Sequence, residues 1–274
     1  MSRSSFFTNE SMIRRIQRES VVGLSGPRTL LMQAAHPVAF AGFFAHTGAL
    51  DDPYARLQRT VRVLGLIGFG DKAEAQKATA RVRDIHTRIH GVLKEPAGRF
   101  PAGTPYSAED PALLLWILAC MADSALVVYD RSVRSLRRDE RDAFWRDYKV
   151  IGREFGLRDA EMPDAIEDFD LYMNDMVEGD DLYVTDEARE LALEIVMRPP
   201  VPLHARPMLE VANFATVGLL PPKVRRMYGF SWDPARALVL RGGAEYAKRV
   251  VVPLLPDRWR YRRRRRPAPA SEAA

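Results

Sequence analysis

Apolar residues recur at intervals of three and four along most of this chain, and strict alternation is nearly absent. That period belongs to helices whose apolar face is turned to a core. The pattern predicts a first helix capped by Asn9 or Ser11, then one over 27–45 with Pro27 in its first turn. Asp51 or Asp52 caps the next, which Gly68 and Gly70 end. A long helix over 71–93 follows, then a loop rich in Pro and Gly to residue 106. Ser107 opens a further helix through Trp116 to residue 132, with the flavour of a capping box. Helices also fit 138–155, 163–177, 186–197, 206–219 and 234–247. The expected fold class is all-α, a single multi-helix domain over 9–257, between a short tail at 1–8 and a basic disordered tail at 258–274.

The most apolar run, LLLWILACMADSALVVY at 113–129, is slightly short for a membrane span and carries Asp123 near its middle. A buried core helix is the favoured reading over a membrane segment. With 274 residues, 47% hydrophobic and 28% charged, the chain has the make-up of a globular domain with a sizeable core. One cysteine, Cys120, excludes an intramolecular disulfide and fits a cytoplasmic protein. The net charge of +5 is concentrated at the end, where seven arginines lie between Arg258 and Arg266. A solvated tail comes first, and peripheral contact with an anionic membrane second. No zinc-finger spacing or RNA-binding signature accompanies the charge, so specific nucleic-acid binding is not expected.

Chemistry gathers in three stretches. In VRDIHTRIHG, His86 and His90 stand four apart, the spacing of one helix face. Helical phase puts His86 on the apolar stripe with Val82, Ile85 and Ile89, and His90 at the polar edge. A core histidine bonded to a carbonyl and a metal ligand both fit His86. No H-E-x-x-H pattern or paired E-x-x-H motifs exist, which excludes a zinc protease and a di-iron bundle. A lone histidine in an all-helical domain suits haem, which brings four nitrogens and needs one strong axial donor. In DPYARLQRT, Arg56, Arg59 and Thr60 share a face. Solvated arginines or a bidentate partner for a propionate both fit, with Thr60 supplying a hydroxyl. In GPRTLLMQAAHPVAF, His36 precedes Pro37, which interrupts helical hydrogen bonding and can shape a pocket. Arg28, earlier in that stretch, is a further candidate anion partner.

Together these stretches, with YSAEDPALLLWILACMADSALVVYD at 106–130, resemble the mpaB-like/rubber oxygenase catalytic domain over about residues 23–176. The resemblance implies a globin-like core binding haem b and the use of dioxygen to cleave carbon–carbon double bonds of apolar, isoprenoid-type substrates. It gives His86 the iron, with His90 as the fallback, and matches Arg56 and Thr60 to the R-x-x-x-T pair of the rubber-cleaving branch. Arg59 stands where that branch has a lysine able to cap the iron, and a guanidinium offers no lone pair. The branch's upstream glutamate has no counterpart, since 20–50 contains none. The leading expectation is a haem-dependent oxygenase, with Arg56, Arg59, Thr60 and His36 at the reacting side and His86, Arg28 and Arg56 holding the cofactor. The alternatives are a haem-binding or sensing protein without turnover, and a cofactor-free helical protein at a membrane.

Overall fold

A computed structural model describes residues 4–45 and 53–261. Its helices are α1 (Met12–Gln17), α2 (Ser25–Ala34), α3 (Pro37–Ala45), α4 (Pro53–Phe69), α5 (Lys72–His86), α6 (Pro111–Ser132) and α7 (Arg138–Glu154). After them come α8 (Ile166–Glu178), α9 (Asp186–Ala192), α10 (Arg206–Leu219), α11 (Pro222–Met227), α12 (Pro234–Tyr246), α13 (Val252–Leu254) and α14 (Asp257–Arg260). The fold is thus mostly helical, as the apolar period predicts. Asp51 and Asp52 lie outside the described residues.

The core is built around α6. Its buried positions alternate large and small, with Trp116, Leu118 and Leu126 beside Ala119, Cys120, Ala122 and Ala125. The small residues let α2 and α7 approach closely, and each fully buried large apolar side chain contributes roughly 1.5–3 kcal/mol. Gly152 of α7 sits so near that a Cβ there would lie 2.6 Å from the Met162 sulfur and 2.9 Å from Leu118. α6 is long and apolar enough to cross a membrane, but much of it is buried within the fold. Its half-buried Asp123 has a partner. Arg28 of α2, 3% exposed, donates to Asp123 Oδ2 at 2.6 Å, Ser124 Oγ at 2.7 Å and the Leu219 carbonyl at 2.8 Å. Asp123 is therefore what allows an arginine inside the core, and the group joins α2, α6 and α10.

Several boundaries differ from the pattern. The helix expected over 71–93 ends at His86, and a two-stranded antiparallel hairpin follows, β1 (His90–Val92) with β2 (Pro105–Ser107). Thr87 turns its hydroxyl back onto the Asp84 carbonyl at the helix end. Gly91 explains the pairing, since a Cβ there would lie 2.6 Å from the Tyr106 hydroxyl. Ser107 belongs to β2, and the cap of α6 is Asp110, which accepts from the Ala112 N–H with Pro111 in the first turn. The helix expected over 27–45 is two helices, α2 and α3, with His36 between them.

Ordered structure reaches into both presumed tails. Phe7 is 5% exposed in the core, and Ser4 accepts from the Lys72 N–H. Near the other end α14 docks, with Arg260 bonded to the buried Glu19 and Tyr261 bridging to the Glu19 backbone. Residues 258–261 are therefore structured rather than part of a disordered tail. Residues 262–274 lie outside the described set.

Candidate active site

The site is set by the α4–α5 pair. Gly70 and Asp71 alone connect these helices, so they run antiparallel. Asp71 caps α5 by accepting from the Ala73 and Glu74 N–H groups. This geometry brings the first half of α4, with Arg56, Arg59 and Thr60, to the same end as His86 at the last position of α5. Arg59 and Thr60 are exposed, and the side chain of Arg56 lies outside the described residues.

His86 is half-buried and lines an open cleft of about 270 Å³ with Arg83, Glu109, Leu114 and Phe155. Arg83 reaches the cleft because it precedes His86 by one helical turn. Phe155 reaches it because α7 ends in a glycine turn. Gly156 has φ +104, and the Leu157 N–H returns to the Gly152 carbonyl. Glu109 and Ala108 arrive on the short link from β2 to α6. The apolar stripe assigned to His86 does not hold, since Ile85 beside it is 53% exposed. The helix packs its small residues inward instead, with Ala75 and Thr79 its buried positions. His90 is exposed in β1 opposite Ser107. Backbone conformation, rather than helical phase, separates the two histidines.

His36 stands apart from this cleft. Its Nδ1 accepts from the Ala39 N–H at 3.3 Å, so the imidazole caps α3. The His36 N–H meets the Gln33 carbonyl that Pro37 would leave unpaired, and the Tyr183 N–H takes the Ala35 carbonyl. The ring lies 5.5 Å from Phe100 and 6.3 Å from Trp116. Burial lowers its pKa to about 4, against the opposing pull of the Asp181 carboxylate. His36 is therefore neutral at pH 7, with its lone pair engaged at Nδ1. Leu114 faces the His86 cleft and Trp116 faces His36, about 200° apart around α6. His36 therefore lies on a different side of α6 from the His86 cleft.

Arg28 is corrected too. Its guanidinium is occupied by Asp123, Ser124 and Leu219 inside the core, which leaves it no role as an anion partner at the cleft. Cys120 is buried, and burial together with the Asp123 carboxylate pushes its thiol well up. It is not a nucleophile or a thiolate ligand. Glu19, the glutamate just upstream of the glutamate-free stretch, is committed to Arg260. Arg83 was within reach of sequence reasoning from its spacing to His86. Glu109 and Phe155 carried no such signal.

The family model that matches this chain is described as ER-bound oxygenase mpaB/B'/Rubber oxygenase, catalytic domain, and it covers residues 13–249. The chain belongs to that family. It is thus an oxygenase-type catalytic domain, which implies dioxygen and a small-molecule substrate. Among curated relatives, an uncharacterized protein of Mycobacterium bovis and one of Mycobacterium tuberculosis are each 24% identical over 188 residues. Those matches cover 67% of this chain and 69% of each relative. No solved structure matches. The family match reaches far beyond the earlier blocks, through α10 and α12, so it takes in the His86 cleft and the helices that back it.

Proposed function

We propose that this chain is a haem b-dependent oxygenase that uses dioxygen on an apolar, isoprenoid or lipid-like substrate, with His86 as the iron ligand in a globin-like core. The observation that carries the reading is the place of His86, a half-buried imidazole on an open cleft at the end of α5, the end to which the antiparallel α4 brings its R-x-x-R-T half. The donor set fits the cofactor. Haem asks the protein for one strong axial donor, cationic partners for its carboxylates and apolar walls. The cleft offers one imidazole, the Arg83 guanidinium, and the side chains of Leu114 and Phe155. Among the described residues no three His, Cys, Asp or Glu side chains converge as a bare ion would require.

When bound, haem supplies the oxidative chemistry, and the protein supplies ligation, orientation and exclusion of water. His86 would hold the iron through a ring nitrogen. Arg83, with Arg59 of α4, would pair with the propionates. Leu114 and Phe155 exclude water from one side. Thr60 offers a hydroxyl proton at Oγ1, and Glu109 is the cleft's carboxylate, able to take a proton at Oε1 or Oε2 in place of the upstream glutamate this chain lacks.

The test is the absorption spectrum of the haem-reconstituted protein beside its His86→Ala and His90→Ala variants. His86→Ala is expected to lose haem or shift the Soret band, and His90→Ala to leave it unchanged. An unaltered spectrum in His86→Ala overturns the ligand assignment. A second reading, a haem protein without turnover, is favoured by Arg59 at the place of the rubber branch's lysine. Oxygen consumption with alkene substrates separates the two.

A further inference from the structure

The surface formed by α12 and the segments after it is apolar where it should be polar. α12 has no buried residue, yet its solvent face carries Leu238 at 69%, Val239 at 64% and Tyr246 at 62% exposure. These positions share one side of the helix with Gly242, where an added Cβ would meet nothing within 4 Å. The helix continues through a wide π turn over 247–251 into α13, where Leu254 is 77% exposed. Trp259, in α14, is 65% exposed and lies just before the arginine run. A helix that turned its apolar face to the core would show the opposite pattern.

Charge decides what can cover this surface. Residues 234–266 hold eleven Lys and Arg against two acids, Glu245 and Asp257, a net of +9. The whole chain is +5, so the remainder is −4. A second copy meeting this face in an isologous contact would set like charge against like charge. Residues 267–274 offer only Pro, Ala, Ser and Glu, with no large apolar side chain to fold back over the stripe. A nucleic acid would satisfy the arginines but not Leu238, Val239 and Leu254. An anionic bilayer satisfies both, because apolar side chains enter the acyl boundary while arginines meet the headgroups.

We infer that α12, α13 and α14 form a docking face for anionic phospholipid membranes. This surface is independent of the haem reading and stands whether or not the cleft binds a cofactor. The test is co-sedimentation of the full chain with vesicles of neutral phosphatidylcholine and of phosphatidylcholine mixed with phosphatidylserine. Binding is expected to the mixed vesicles only, weakened by high salt. The double variant Leu238→Ser with Leu254→Ser is expected to reduce binding roughly tenfold or more, since two apolar anchors are lost. Its circular dichroism and melting temperature should match wild type, because both side chains are exposed. Trp259 fluorescence should shift to the blue on the mixed vesicles in wild type, and the shift should be absent in Trp259→Phe. The proposal is overturned by failure to bind the mixed vesicles, or by equal binding of the double variant, which would leave only the arginine tail at work. A dimer in solution that Leu238→Ser abolishes would overturn it as well.

Discussion

The carboxylate of Glu19 and the guanidinium of Arg260 meet in hydrogen bonds of 3.1–3.3 Å, joining two residues 241 positions apart. Glu19 is 2% exposed, and the proximity of its carboxylate raises the Arg260 pKa. Truncating after Asp257 or substituting Arg260→Ala leaves that carboxylate buried and unpaired, at about 3 kcal/mol, the lower end for such pairs because Arg260 is partly open to water. Differential scanning calorimetry should show a fall in Tm of roughly 6–10 °C for either change. Truncation after Tyr261 should leave Tm within experimental error. Equal stability of the two truncations would contradict the docking of α14.

His36 makes the fold acid-sensitive in a defined window. Its folded pKa of about 4 lies below the ordinary value of 6.5, so the unfolded chain takes up a proton between those values that the folded chain refuses. The stabilisation is complete above pH 6.5 and is lost as the pH falls toward 4, about 3 kcal/mol in all. Urea denaturation from pH 7 to 4 should show that decline in wild type. His36→Asn keeps a side-chain acceptor for the Ala39 N–H and should flatten the profile across the window.

Gly91→Ala tests the hairpin. The new methyl would lie 2.6–3.2 Å from the Tyr106 hydroxyl and ring, and Tyr106 is buried. The ring must shift, at a cost of roughly 1–3 kcal/mol. Because β2 leads directly to Ala108 and Glu109 of the cleft, the reconstituted variant should also bind haem more weakly than wild type in a titration followed at the Soret band.

Glu109→Gln separates proton handling from cofactor binding. The substitution preserves size and removes the charge on an exposed residue, so stability should stay within about 0.5 kcal/mol. The haem spectrum should be unchanged while oxygen consumption falls by roughly tenfold to a hundredfold, the lower range for loss of a general base. Full retention of turnover would assign the base elsewhere.

Helix existence was legible in the apolar period, and α10 appears at the bounds its sequence predicts. What the period could not show was where α5 stops. DIHTRIHG keeps helical spacing, but pairing of Gly91 with Tyr106 requires a partner strand fifteen residues away, and no local propensity encodes it. The fate of Arg28 was hidden for the same reason, because Asp123 and Leu219 meet it only after α2, α6 and α10 assemble. His36 beside Pro37 was legible as a break in the helix. That its ring would cap the next helix depended on backbone geometry the sequence does not display. At the cleft, Arg83 follows from helical spacing to His86, whereas Phe155 arrives through the glycine turn that ends α7.

α5 is anchored lightly for an element that carries the candidate site. α5 buries Ala75 and Thr79 alone, whereas half of α6 is buried. Its tie to α7 includes a long contact of 3.5 Å from Thr79 to Glu154. Such an element opens at a free energy well below that of global unfolding. Amide hydrogen exchange should accordingly be fast along α5 and slow along α6. A broad, flat ligand can then enter the cleft by local opening of α5, and its capture should slow the exchange of α5 while leaving α6 unchanged.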